Sequence, residues 1–414
     1  MPRSFRKRVG YVALTLVGVV AAIGVWFFQP WLDHDPWRWF LAARQEWRAD
    51  HFSHWERVSP YRTVEASSTP REYARDLEDL GAVRYSLDER EFSIDQYLER
   101  ADVAGLMVLS GGKVRYEAFA QGIDADSRFQ IWSATKSFTS TLVAMALFEG
   151  KIESLDDPAQ RYAVQFEGTA YGETSLRHLL MMSSGIDFAH FNHDPDRNDM
   201  YWAVIQRGQD LDDWAAELGR DVPPGSNFNY LATDTHVLGA VLRGAYGQPL
   251  ATILQERLWE RGGFSAAATW AQHAEGDAGH AFGHCCLAMR LQDFAHLGQL
   301  YLEDLVLGGT QTVPDDWFEM VANPHAPFQE PRVNPESGSV RMGYSFQFWL
   351  PPDHDNEFVA SGAFGQELWI DRSRGFVVAQ FATSDTPSGE YVAAMRALGD
   401  AVVSSREEQD PTGG

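Results

Sequence analysis

Strand-like runs at both ends of the globular part of this chain, with a long helical stretch between them, constrain its fold most. From about Phe92 a short helix leads into "VAGLMVL" and "VRYEAFA", which flank Gly111-Gly112 as the arms of a β-hairpin do. A long helix follows, opening at Ser133. From about Leu155 to Ala322 helical periods dominate, in "TSLRHLLMMSSG", "DLDDWAAELG", "ATDTHVLGAVLRGA" and "RLQDFAHLGQLYLEDL". The chain then returns to strands in "YSFQFWL", "EFVASG", "QELWIDRS" and "GFVVAQFATS", and closes with the helical "YVAAMRALGDAVVS". The expected class is therefore α+β: one antiparallel sheet built from both termini, flanked by helices, with a helical region inserted. The seam between sheet and insertion is where a site is expected.

The N-terminus follows other rules. Arg3, Arg6, Lys7 and Arg8 precede an uncharged run from Gly10 to Phe28, which as a helix would span roughly 28 Å, about the thickness of a bilayer core. The basic residues place its start in the cytoplasm, and Trp31, Trp37 and Trp39 follow as interfacial aromatics would. Bulky Trp26, Phe27 and Phe28 stand where a cleavage site would need small residues, so an uncleaved transmembrane anchor is expected, with a cleaved signal as the rival. The division is residues 1–28 as basic tail and anchor, 29–91 as a juxtamembrane arm, 92–404 as the main domain, and 405–414 as a disordered tail. The main domain is placed outside the inner membrane, on the periplasmic or extracellular side.

The 414 residues carry a formal charge of −24, which argues against nucleic acid as a partner, because phosphate binding needs a basic surface. The two cysteines, Cys285 and Cys286, are adjacent, a spacing ill suited to a disulfide framework. Without a second ligand cluster they read as buried small hydrophobes, and neither a metal nor a cofactor is expected. The segment from His190 to Asp199, "HFNHDPDRND", begins like a calcium loop but has Asp199 at the glycine position and Ile205 at the bidentate-acid position. It reads as a solvated acidic loop.

Chemistry enters with Ser133 and Lys136. The chain has four lysines against 30 arginines, and three of those lysines have serine three positions upstream. Ser4–Lys7 lies in the basic tail, Ser110–Lys113 in the hairpin turn, and only Ser133–Lys136 opens a long helix. Residues three apart on a helix share a face. A lysine that has lost its proton can activate a serine, whereas an arginine cannot act as a base. Such a serine also needs a proton carrier and oxyanion donors. Downstream, Tyr230 precedes a helix in "PPGSNFNYLATDTHVLG", and "ASGAFGQ" (360–366) is a strand whose glycines let backbone approach closely.

In this order, "SATKSFTSTLVAMALFEGKI", "SLRHLLMMSSGIDF", "PPGSNFNYLATDTHVLG" and "FVASGAFGQELWID" resemble landmarks of the serine hydrolases of the class C β-lactamase and penicillin-binding fold. The resemblance is greatest to the 6-aminohexanoate-dimer hydrolases and related esterases, and it covers about Phe92 to Asp400. It implies Ser133 as the acylated nucleophile and Lys136 and Tyr230 as sharing the general-base and general-acid work. It also implies the backbone N–H groups of Ser133 and Ala363 as the oxyanion hole, and Trp132, Ser361 and Gly362 as substrate-binding residues. Two departures bear on substrate. The tyrosine motif of these β-lactamases ends in asparagine where this chain has Ala232, and their Lys-Thr-Gly strand aligns with Ala360-Ser361-Gly362. The missing cation argues against penicillins and peptide C-termini. A small ester or amide is the expected substrate, cleaved through an acyl-enzyme. A β-lactamase or cell-wall D,D-peptidase is the alternative, and so is a catalytically idle, membrane-tethered binding module. No Gly-x-Ser-x-Gly occurs, which removes the α/β-hydrolase alternative.

Overall fold

Alternation along the last strand shows how the sheet is buried. In "FVVAQFA", Phe376 and Val378 enter one apolar core, while Val377, Ala379 and Phe381 enter another. Both faces are covered, so the strand reads as a nearly continuous apolar run. The computed structural model describes residues 14–25, 44–188, 200, 204, 208–333, 340–384 and 390–409.

The strands used below are β1 (Tyr61–Val64), β2 (Ala74–Arg75), β3 (Val103–Ser110), β4 (Lys113–Phe119), β5 (Arg128–Gln130), β6 (Ala268–Ala271), β7 (Leu287–Arg290), β8 (Gly343–Ser345), β9 (Phe348–Leu350), β10 (Glu357–Gly362), β11 (Gln366–Asp371) and β12 (Phe376–Ala382). The helices are α1 (Ile94–Arg100), α2 (Thr135–Phe148), α3 (Ala232–Tyr246), α4 (Leu291–Leu302) and α5 (Glu390–Gln409).

The main sheet has eight strands in the order β8-β9-β10-β11-β12-β3-β4-β2. The late strands thus meet the early hairpin where β12 pairs antiparallel with β3. Every pairing in it is antiparallel except that of β2 with β4. The α+β class and a sheet built from both ends of the domain are as expected. Helix α4 covers one face, where a Cβ on Gly298 would lie 2.6 Å from Val377. Helices α1 and α5 cover the other, with Tyr97, Leu398 and Val402 packed into the core of Val378 and Trp369. A four-stranded sheet, β1-β6-β7-β5, closes the side of the helical region.

Several boundaries differ from the sequence reading. The run "YSFQFWL" is a hairpin and not one strand: β8 and β9 are joined at Phe346 and Gln347, whose φ values are 40° and 71°. Neither residue is a usual occupant of such a turn, but hydroxyls of α2 hold it, Ser140 donating to the Phe346 carbonyl and Ser137 to the Gln347 carbonyl, each at 2.7 Å. The tail expected to be disordered is helical as far as Gln409. Ser405 there donates to Glu78 at 3.0 Å and Arg406 to the Arg374 carbonyl at 2.9 Å. Residues 44–91, read as an arm, are built into the domain: Phe52, Trp55, Val58 and Val64 are buried in the main core, and β1 pairs with β6.

Of the Gly10–Phe28 run, residues 14–25 are described, as a helix with Leu14, Val17, Val20 and Ile23 exposed. Among the described residues no helix is long and apolar enough to cross a membrane. The 190–199 segment lies outside the described residues.

Candidate active site

Ser133 sits in a single 3-10 turn, Trp132–Ala134, which runs directly into α2. Trp132 enters this turn with φ 48°, a left-handed conformation uncommon for a bulky side chain. Its ring is fixed by an aromatic cluster, with centroids 5.2 Å from Phe52, 5.1 Å from Trp55 and 5.3 Å from Phe364. Two of those rings come from the segment read as an arm. Arg48 of the same segment lies 4.4 Å over Phe364 and donates to the Thr383 carbonyl at 2.8 Å.

Lys136 follows in the first turn of α2, so its side chain returns to the face that carries Ser133. Its Nζ lies 3.1 Å from Ser133 Oγ and donates to the His284 carbonyl at 2.8 Å. Lys136 is 1% exposed, with no carboxylate among the partners shown for it. Burial without a counter-charge lowers its pKa to about 7. Such an amine has a free electron pair near neutrality, and Ser133, half-buried, can give it a proton.

Tyr230 is placed by its backbone neighbours. The Asn229 amide donates to the Met182 carbonyl at 2.9 Å, and the Leu231 amide to the Met182 sulfur at 3.4 Å. Met182 belongs to the turn after the short helix Leu176–Leu180, whose N-cap is Ser175. The "SLRHLLMMSSG" landmark therefore braces the tyrosine. The Tyr230 ring stacks on Trp349 at 5.3 Å, meets Tyr344 edge-on at 5.8 Å, and has Lys136 Nζ 5.0 Å from its centroid. Tyr344 and Trp349 face each other across the β8–β9 hairpin, which the single-strand reading missed.

Gly362, the last residue of β10, comes so close to the Ser133 turn that a Cβ would lie 2.2 Å from the Ile131 carbonyl oxygen and 3.2 Å from the Ala134 nitrogen. Only glycine fits this approach without a shift. It sets Ala363, the next residue, beside the turn that carries Ser133. Ser361 is placed differently, donating to Glu367 at 2.9 Å across the β10–β11 pair. Glu367 is buried, and desolvation raises its pKa well above the usual carboxylate range. The position aligned with the lysine of Lys-Thr-Gly is Ala360, fully buried in the main core.

The cysteines correct another expectation. They are buried, as read, but Cys285 and Cys286 are joined by a disulfide. The spacing argument concerned links between distant segments, and adjacent cysteines close a small ring through their own peptide bond. A histidine and aspartate group also lies outside the sequence reading. Ligand-type atoms of Asp210, His273 and His280 fall within 4.8 Å of one another. These atoms already serve each other: Asp210 is 2.8 Å from His280 Nδ1, and His273 Nδ1 accepts from the His280 amide at 3.1 Å. Together they tie the 273–280 loop to the N-cap of the helix Leu211–Ala216.

A family model described as Beta-lactamase matches residues 93–402. The chain belongs to the β-lactamase family. It is a serine hydrolase of that fold, similar to a 6-aminohexanoate-dimer hydrolase of Paenarthrobacter ureafaciens at 25% identity over 72% of this chain and 77% of the relative. Among solved structures, it is similar to a Bacillus anthracis protein described as a candidate 6-aminohexanoate-dimer hydrolase. The TM-score is 0.76 at 20% identity, covering 89% of this chain and 96% of the other. It is also similar to EstCE1, a hydrolase with promiscuous acyltransferase activity, with a TM-score of 0.56 at 18% identity over 75% and 96% of the two chains. At these identities the structural likeness establishes the fold.

Proposed function

We propose that this hydrolase cleaves a small ester or amide through an acyl-enzyme on Ser133. The observation that carries the reading is the 3.1 Å separation of Ser133 Oγ from a buried lysine nitrogen with no carboxylate among its partners. In its neutral form Lys136 takes the Ser133 proton as Oγ attacks the substrate carbonyl carbon. The negative charge that develops on the carbonyl oxygen is met by the backbone N–H groups of Ser133 and Ala363. The proton passes to the leaving group through Lys136 and Tyr230, and water then releases the acyl group by the same steps in reverse order. Trp132, in the same turn as Ser133, and Gly362, which packs against that turn, are the substrate-binding residues in this reading. The P. ureafaciens relative is named for an amide-linked dimer, which fits an amide among the substrates.

The missing strand-motif cation argues against anionic β-lactams. A charge-assisted hydrogen bond contributes about 1.5–3 kcal/mol, or roughly 10- to 150-fold in binding. The net charge of −24 adds weak repulsion of anions. Neutral short-chain esters need neither missing group. The test is fluorophosphonate labelling of the protein and of Ser133→Ala, alongside turnover of p-nitrophenyl butyrate and nitrocefin. Labelling lost in Ser133→Ala with ester turnover and little nitrocefin turnover is the expected result. Efficient nitrocefin hydrolysis without esterase activity would favour the β-lactamase alternative, and absence of labelling would favour an idle binding module.

The Gly10–Phe28 run is proposed to anchor the chain in the inner membrane with the catalytic domain outside. Supporting this are the exposed apolar side chains of residues 14–25 and the Cys285–Cys286 disulfide, since disulfides persist in oxidising compartments. Proteolysis of spheroplasts is expected to digest the catalytic domain while the anchor stays with the membrane. A soluble product that begins after Phe28 would show a cleaved signal instead.

A further inference from the structure

The segment that carries the disulfide forms the floor under the nucleophile helix. The Gly283 carbonyl accepts from Thr139 Oγ1 at 2.6 Å, and the His284 carbonyl accepts from Lys136 Nζ at 2.8 Å. The Cys285 carbonyl accepts from Trp270 Nε1 at 3.1 Å, and the Cys286 carbonyl from the Ala271 amide at 3.0 Å. The Leu287 amide donates to Thr135 Oγ1 at 3.2 Å, and its carbonyl accepts from the Ile131 amide at 3.0 Å. Five consecutive residues are thus fastened, and four of these bonds reach residues 131–139, which contain Ser133 and Lys136.

Within that floor, Cys286 has φ 75°, in the left-handed region that residues other than glycine seldom adopt. The disulfide ring restricts rotation on both sides of the Cys285–Cys286 peptide and so holds the Cα of Cys285, to which the peptide carrying the His284 carbonyl is attached. That carbonyl decides how the amine is turned. One N–H of a neutral Lys136 is committed to it, which leaves the electron pair to be aimed at Ser133 Oγ, 3.1 Å away.

We propose that the Cys285–Cys286 disulfide is a positioning element for Lys136: by holding the Cys285 Cα it steadies the segment that presents the His284 carbonyl, and through that carbonyl it orients the lysine toward Ser133. This rests on the acyl-enzyme reading of the site and names a requirement of that site. A dithiol reductant should release the constraint. One of its thiolates attacks a cysteine sulfur, breaking the S–S bond and forming a mixed disulfide. Its second thiolate then displaces the cysteine, so the reductant is oxidised to its cyclic disulfide and both cysteine sulfurs take up protons.

The test uses the full chain carrying lysine labelled with nitrogen-15 at Nζ. Its four lysines allow Lys136 to be assigned by the signal lost in Lys136→Arg. The oxidised protein, the same protein reduced with dithiothreitol, and Cys285→Ser/Cys286→Ser are compared. A thiol count of two per chain confirms reduction. The Lys136 titration is followed by NMR, and kcat and KM are measured for p-nitrophenyl butyrate. A carbonyl dipole favours the ammonium form, so its loss should move the Lys136 inflection down, by about half a pH unit or more. The kcat should fall on the order of 10-fold with little change in KM, because general-base catalysis depends on aim as well as basicity. Dithiothreitol should add nothing to the double variant. A fully reduced protein with an unmoved Lys136 inflection and unchanged kcat would overturn the proposal. So would an upward inflection, which would mean that water had entered and the carbonyl was not what oriented the amine. A downward inflection without ester turnover in either redox state would keep the positioning role and reject the ester reading.

Discussion

The Cα of Gly362 approaches the Ile131 carbonyl so closely that a Cβ there would lie 2.2 Å from the oxygen. This contact joins the last residue of β10 to the turn that carries Ser133, and it needs a residue without a side chain. Gly362→Ala must push the strand end away, and overpacking of this kind costs about 1–3 kcal/mol. On the proposed role of the Ala363 amide as an oxyanion donor, ester kcat/KM should fall at least ~10-fold, with a lower melting temperature. Steady-state kinetics and a thermal melt check both, and unchanged values in the two would remove the close approach from the mechanism.

As the proposed base, Lys136 should set the pH response of ester turnover. With its pKa lowered to about 7, it is an ammonium below that pH and a neutral base above it. Ester kcat/KM should therefore rise through about pH 7 and level off. Lys136→Arg retains charge but not basicity and should acylate at least ~10²-fold more slowly. Stability follows from the same shift. Between about pH 7 and 10.5 the unfolded chain holds the extra proton, so stability rises with pH across that window. A burst of normal amplitude and rate in Lys136→Arg would refute its role as base.

Tyr230→Phe keeps the ring that stacks on Trp349 at 5.3 Å and removes only the hydroxyl. The variant should melt close to the parent and lose ~10²-fold or more in ester turnover, as expected when a proton carrier is removed. Turnover equal to the parent's would return Tyr230 to the role of a packing residue.

Asp234, in the first turn of α3, is fully buried and accepts from Tyr171 at 2.8 Å and Ser184 at 2.7 Å. Desolvation raises its pKa to about 7. The folded protein therefore holds a proton that the unfolded chain has lost between pH 3.8 and about 7, and this contribution to stability declines as pH rises across that window. Asp234→Asn can still accept both hydroxyls and has no charge to form. Relative to the parent, its melting temperature should improve from pH 5 to pH 8, and a gap independent of pH would count against a neutral Asp234.

What the sequence determined by itself was local. Period-two and period-3.6 patterns marked most strands and helices, because burial of one face or both leaves its mark on neighbouring residues. The separation of Ser133 from Lys136 was legible because one helical turn brings the two together whatever the rest of the chain does. Tyr230 and Gly362 could be singled out only through the resemblance of their motifs to family landmarks, since their distance from Ser133 depends on how far-apart segments pack. Tertiary structure decided the remainder. The Phe346-Gln347 turn has no turn residues and exists because Ser137 and Ser140 hold its carbonyls. Residues 44–91 joined the core because Phe52 and Trp55 found Trp132 and Phe364, far along the chain, to pack against. The His284 carbonyl met Lys136 across 148 positions of sequence, and a backbone atom leaves no signature in residue type. Contacts of that kind are set by packing between distant elements, and only the folded chain contains them.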